Sequence, residues 1–443
     1  MGRFECHAHT MYSNVRLLDS INFPEKLIDR AIELGLKGIA ITDHELLASH
    51  VVIDKYAQKI KDKYPDFKIA KGNEIYLCDS RDTKQKYYHF ILIAKDAVGH
   101  KMLRELSSIA WMNSYYDRGM ERVPTLKSEL ADVIAKYGKG HLIASTACLG
   151  SELDYLILEK ERAKRVGNID GERDCFNSII NFVNWCKQLF EDDFYLEVQP
   201  AKSEEQMIVN RLMGSVSKFF NVKVIVTTDA HYLRKEDREV HKAYLNSKGG
   251  EREVDAFYEY AYLQSTEEVI ENLEGTGLDY YELEANTHEI YSKIEDYSLA
   301  RKQQVPEIEV PVYPIELEGH HYYDVEKYPT LDYLMHSAEP LERYWINYCQ
   351  NELNKRKLGK DEVYLARLEE EADIQKTIGD KLGTCMFGYP IFLQHYINMF
   401  WEVGSTVGAG RGSACAGLNH YLLGITQLDP IQHELPYWRL AIQ

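Results

Sequence analysis

Two pairs of residues separated by one position stand near opposite ends of the first half of this chain. They are His7 and His9 in Cys6-His7-Ala8-His9-Thr10, and Asp229 and His231 in Thr228-Asp229-Ala230-His231-Tyr232. In an extended strand residues i and i+2 share a face, so both side chains of such a pair can reach one ion. His44 closes Ile41-Thr42-Asp43-His44, and Glu74 lies in Gly72-Asn73-Glu74-Ile75. A lone histidine is an ordinary residue, but HxH and DxH pairs with further acids form a ligand set. Imidazoles mixed with carboxylates suit Zn, Mn or Fe. Clustered cations of that kind activate water and stabilise charge on phosphoryl oxygens, so phosphoester hydrolysis is the chemistry implied.

The elements that must position these residues alternate in type. Strands are expected at 4–8, 38–42, 69–77, 88–93, 141–146, 194–198 and 222–228. Helices fall between them: one carries Leu27, Ile28, Ala31, Ile32 and Leu34 and stops at Gly35, a second spans about 46–63, and a third presents Phe176, Ile179, Ile180, Val183, Cys186, Leu189 and Phe190. This is the α/β signature. It is compatible with a βα barrel, whose chemistry sits at the C-terminal ends of the strands, or with a doubly wound open sheet. Beyond about residue 232 an acidic helical stretch carries Glu267, Glu268, Glu271 and Glu274. Pro306, Pro311 and Pro314 mark an extended linker, and residues 331–400 are helical, with Leu365, Leu368, Ala372 and Ile378 on one face.

The chain has 443 residues and a formal charge of -18 at pH 7, with 45% hydrophobic and 28% charged residues. That composition fits a folded soluble protein and excludes a polypeptide that coats nucleic acid by bulk charge. A local basic cluster, Lys355, Arg356, Lys357 and Lys360, leaves room for nucleic-acid contact. No apolar run reaches membrane-spanning length, so no membrane partner is expected. The eight cysteines form no CxxC pair, which argues against zinc ribbons and redox motifs and for a reducing cytoplasm.

Together the motifs around His7, His44, Glu74 and Asp229 resemble the PHP (polymerase and histidinol phosphatase) domain of the bacterial replicative DNA polymerase III alpha subunit. Tyr88-His89-Phe90-Ile91-Leu92-Ile93 and Ser145-Thr146-Ala147-Cys148-Leu149-Gly150 are similar to two further stretches of that family. The resemblance implies a distorted (β/α)7 barrel holding up to about three divalent metal ions. The implied metal ligands are His7, His9, Asp19, His44, Glu74, His89, Cys148, Asp229 and His231, with His9, Asp43 and His44 as the catalytic group. Asp19 lies later than the family's acid, after what reads as an insertion of Asn14, Val15 and Arg16. The implied activity is 3′–5′ exonuclease action on DNA, in a bacterial or phage cytoplasm.

Val407-Gly408-Ala409-Gly410-Arg411-Gly412-Ser413 is a glycine-rich loop with an embedded cation, a combination that can cradle phosphates. With Leu418 to Pro430 it resembles the start of the polymerase III palm, with Ala409 in place of the family's proline. There Gly410, Arg411, Gly412 and Ser413 would bind the phosphates of a deoxynucleoside triphosphate. The implied organisation is a PHP domain with helical extension at 1–300, a linker at 301–330, a helical thumb or palm-entry region at 331–403 and an incomplete palm segment at 404–443. The family's paired palm aspartates, which would bind Mg, do not follow Asp429, so polymerisation is not expected from this chain alone. Two other readings compete: a small-molecule phosphatase of the histidinol-phosphate type, which needs no C-terminal half, and a non-catalytic platform for replisome proteins.

Overall fold

Short apolar runs bounded by loops build the N-terminal half. The strands are β1 (Phe4–Glu5), β2 (Gly38–Ile41), β3 (Lys68–Cys78), β4 (Tyr88–Ala94), β5 (Tyr115–Asp117), β6 (Met120–Arg122), β7 (Thr125–Leu126), β8 (Leu142–Ser145), β9 (Phe194–Val198) and β10 (Val224–Val226). The computed structural model describes residues 2–82, 85–117, 120–247, 258–301, 304–313 and 323–439. The chain divides into two units, Met1–Ala300 and Arg301–Gln443.

In the first unit the sheet runs β1-β2-β3-β4-β8-β9-β10, with β7 added to β3 and β5–β6 as a separate hairpin. Neighbours are parallel except that β4 runs antiparallel to both β3 and β8. A bridge between Ala8 and Ala230 joins the two edges, with the His9 N–H donating to the Ala230 carbonyl at 3.0 Å. The sheet is thus a nearly closed mixed barrel with helices around it, and β4 supplies its distortion. Alternation along β4 divides its side chains between two environments. Phe90, Leu92 and Ala94 pack outward under helices, whereas Ile91 and Ile93 join Phe4, Ala40, Ala70, Ile143, Tyr195 and Ile225 in an inner cluster. Ile290 and Ile294, in and just after the helix Tyr280–Lys293, complete that inner cluster. The acidic stretch expected beyond residue 232 therefore contributes to the barrel's own core.

The helix expected at 46–63 is His50–Ile60 instead. Glu45 takes a left-handed backbone (φ 55°), and Asn73 Nδ2 donates to the carbonyls of Asp43 and Leu46, so residues 45–49 are held as a loop. The helix Ile169–Phe190 buries Ile179, Val183, Cys186 and Phe190 as its spacing predicts. Phe176 stays 37% exposed, beyond the reach of that core.

The second unit is helical: Pro329–His336, Pro340–Lys355, Glu362–Leu382 and Gly388–Glu402. Its core gathers Leu331, Leu334, Trp345, Ile346, Leu368, Ala372, Phe387, Ile391 and Leu418. Leu365 is buried there too, while Ile378 is only half-buried. In the basic cluster, Lys355 and Arg356 both pair with Glu352 at 2.5 Å, so that one acid offsets one of the four positive charges. Pro314 and the residues after it up to 322 lie outside the described residues.

Candidate metal centre

Parallel strands deliver their C-terminal ends to one rim of the barrel, and an antiparallel strand delivers its beginning to the same rim. This is why His89, near the start of β4, lies with residues from the exits of β1, β2, β8 and β10. His89 forms a bridge to Ser151, and His44 a parallel bridge to Glu74. Three non-glycine residues at these exits have left-handed backbones: Glu45, Ala147 (φ 62°) and Asp229 (φ 45°). Each adjoins or is one of the sequence-predicted ligands, so local strain is concentrated where the side chains must turn inward.

The nine sequence-predicted ligands form three contiguous groups. In the first, His7 Nε2 and His9 Nε2 lie 3.0 Å apart, and each is 2.9 Å from Glu74 Oε2. Asp229 Oδ1 is 3.2 Å from His7 Nε2 and 3.1 Å from His9 Nε2. In the second, Asp19 Oδ2 lies 2.8 Å from His44 Nε2 and 3.5 Å from His231 Nε2, and the His9 ring stacks on that of His231. In the third, Glu74 Oε1 meets His89 Nδ1, and Cys148 Sγ is 3.4 Å from the same nitrogen. The two oxygens of Glu74 therefore face two different donor groups.

The donor set fits divalent cations. Asp229 Oδ1, Glu74 Oε1 and Asp19 Oδ1 are buried and accept no hydrogen bond, although imidazole nitrogens crowd the first two. Buried carboxylate oxygens and imidazole nitrogens that converge on one space in this way form a set a cation can occupy. Charge points the same way. Burial lowers the proton affinity of His7, but Asp229 and Glu197 outweigh it and hold the ring well above its usual range. For His9, the adjacent carboxylates of Asp229 and Glu74 outweigh burial and lift it to about 10. The carboxylates of Asp229 and Glu74 are held low against burial, by His7 and His89 respectively before the other imidazoles. Buried carboxylates in this number need compensating positive charge. Burial, with the charges of Asp229 and Glu74, pushes the Cys148 thiol up, so a thiolate there requires a cation.

Asp43 does not join any of these groups. Its Oδ1 accepts from the Thr10 N–H at 2.7 Å and from the Ser13 hydroxyl at 2.8 Å, and its Oδ2 accepts from Ser49 Oγ at 2.5 Å. Both oxygens of the expected catalytic aspartate are thus engaged, and they tie it to the loop after β1. One acid outside the predicted set does reach the site. Glu197 Oε1 accepts from His7 Nδ1 at 2.6 Å, Thr227 Oγ1 at 2.6 Å and Gln199 Nε2 at 2.9 Å, while its Oε2 accepts from Ser145 Oγ at 2.5 Å. The signal for it is an acid inside the otherwise apolar strand Phe194-Tyr195-Leu196-Glu197-Val198.

In the second unit, Gly410 (φ 127°) and Gly412 (φ 60°) have left-handed backbones flanking Arg411. A Cβ at Gly410 would lie 2.8 Å from Cys415 Sγ, so glycine is needed there. Arg411 and Ser413 are exposed.

Comparison with known proteins locates two families. Residues 5–201 match the PHP domain, and residues 343–441 match the bacterial DNA polymerase III alpha NTPase domain. The probable DNA polymerase YorL of Bacillus subtilis is 38% identical over 98% of this chain and 35% of its own length. The DNA polymerase III subunit alpha of Aquifex aeolicus is 30% identical over 98% of this chain and 34% of its own. The chain thus spans about a third of the length of the curated relatives it matches. The structure of a proposed metal-dependent phosphoesterase from Bifidobacterium adolescentis covers 63% of this chain and 97% of its own at 14% identity, with a TM-score of 0.31.

Proposed function

Because this chain carries a PHP domain followed by a DNA polymerase III alpha segment, we propose that its histidine- and acid-lined rim hydrolyses phosphodiesters of DNA from the 3′ end. One observation carries the reading: Glu74 turns its two carboxylate oxygens toward separate donor groups, an arrangement suited to adjacent cations sharing one ligand. Up to three Zn, Mn or Fe ions are proposed, the first held by His7, His9, Glu74 and Asp229. A second would be held by Asp19, His44 and His231, and a third by His89, Cys148 and Glu74. Bound there, such ions would supply Lewis acidity toward a phosphoryl oxygen and toward attacking water.

The protein's own groups prepare the site. Glu197 accepts from His7 Nδ1 and so fixes Nε2 as the ring atom that faces Glu74 and Asp229. Asp43 fixes the loop carrying Thr10 and Ser13, and Ser13 Oγ lies 3.1 Å from His9 Nδ1. His9 and His44, with ring centroids 4.2 Å apart, are the groups proposed to border the reacting phosphate.

Placement of the activity in a bacterial or phage cytoplasm, with replisome proteins as partners, belongs to the same proposal. Gly410, Arg411, Gly412 and Ser413 are proposed to hold a triphosphate. The test is a nuclease assay with Mn2+ or Zn2+ on single-stranded and mismatched primer ends, with His9→Ala as control. Shortening of the primer by the wild-type chain, lost in the variant, is the expected result. No shortening with any of these metals refutes the reading.

A further inference from the structure

The candidate centre is closed on nearly every side. Side chains of His7, His9, Asp19, His44, Glu74, Asp229 and His231 are 0–4% exposed, whereas that of His89 is 26% exposed. Among these ligands solvent access is therefore concentrated at His89, and an aromatic stack begins there. Tyr76 stacks on the His89 ring at 4.7 Å and 15°, and Tyr87 stacks on Tyr76 at 5.7 Å and 9°. The Arg122 guanidinium lies over Tyr87, with Cζ 5.5 Å from the ring centroid. Arg122 is opposite Tyr115 in the β5–β6 hairpin, whose Tyr116 is 76% exposed.

The two arginines of this stack differ. Arg16, over Tyr76, donates from Nε to Glu45 Oε2 at 2.6 Å. Arg122 forms no ion pair among the described residues, and its Nε is buried without a hydrogen-bond partner. A half-buried guanidinium with no ion pair among the described residues, beside stacked rings, matches the groups with which proteins hold a single strand: aromatic faces for bases, a guanidinium for phosphate.

We propose that Tyr87 and Arg122 form a subsite for single-stranded DNA, which leads the strand to the centre past His89. The proposal rests on the hydrolysis reading for its orientation, but it is tested by binding. Anisotropy of a labelled oligo-deoxythymidine is measured with the full chain in EDTA, so that metal-dependent hydrolysis does not intervene. Arg122→Ala is expected to weaken binding about fivefold or more and to lower the log–log salt slope by about 0.7, the contribution of one phosphate contact on a single strand. Arg122→Lys should restore the slope, and Tyr87→Ala should weaken binding at unchanged slope. Because Arg122 touches no ligand of the centre, its variants should keep the metal uptake and thermal midpoint of the wild type. Affinity and slope unchanged in Arg122→Ala overturn the subsite, whether or not the chain hydrolyses DNA. Binding that depends on Arg122 in a chain that never hydrolyses DNA supports the subsite and removes only the hydrolysis reading.

Discussion

Replacing Glu197 by glutamine tests whether the buried acid behind His7 sets cation affinity. The carboxylate takes a 2.6 Å hydrogen bond from His7 Nδ1, along with donors from Ser145, Thr227 and Gln199. Glutamine keeps the shape and one carbonyl oxygen for His7, and the Ser145 hydroxyl can rotate to accept from the new amide. What is lost is the charge that raises the basicity of the ring. Changes of this kind, behind a ligating histidine, cost 10- to 100-fold in metal affinity, or roughly 1.4–2.7 kcal/mol. Alanine would instead strand several buried donors at about 1–3 kcal/mol each and would report on folding. The assay is competition for Mn2+ or Zn2+ against a chromophoric chelator, with thermal unfolding as the control. Affinity of Glu197→Gln within twofold of wild type would refute the argument.

Cys148→Ser should lower bound Zn2+ by one equivalent and leave the set at His7, His9 and Asp229 loaded, as elemental analysis of reloaded protein would show. Asp43→Ala should destabilise the fold by about 2–4 kcal/mol in urea, since it leaves Thr10, Ser13 and Ser49 without their acceptor. His50 donates to or accepts from His100 at 3.1 Å; burial and then His100 bring His50 down to about 3, and burial and then Lys71 bring His100 down to about 4. Between those values and 6.5 the unfolded chain binds more protons than the folded one. Stability is therefore full above about pH 6.5 and falls on acidification, by up to ~1.4 kcal/mol per pH unit for each histidine. His50→Gln should flatten that decline between pH 6.5 and 4.5 in metal-stripped protein, and an unchanged slope would contradict this assignment.

The meeting of the HxH and DxH pairs at one rim was legible because one-residue spacings survive any arrangement of strands. The reversal of β4 was not, since parallel and antiparallel buried strands share the same continuous apolar pattern. That reversal is what makes His89, which opens a strand, compatible with residues that close theirs. Asp43 and Glu74 look alike in sequence, each an acid in or just after an apolar strand. Only the hydroxyls of Thr10, Ser13 and Ser49, folded back onto Asp43, distinguish its surroundings from those of Glu74, which faces the imidazoles. Glu197 left one trace, a charge in an apolar strand, whose meaning depends on His7 from a strand 190 residues earlier. The early end of the loop before His50 had no trace at all, because the left-handed turn at Glu45 uses a residue type that favours helices.

The account depends on the rim binding divalent cations through shared ligands. Elemental analysis of the chain, stripped with chelator and reloaded with Mn2+ or Zn2+, measures this directly when paired with Glu74→Gln. The predicted result is two to three ions per wild-type chain and a loss of more than one ion from the single substitution. Fewer than one ion per wild-type chain, or loss of no more than one ion in Glu74→Gln, would contradict it.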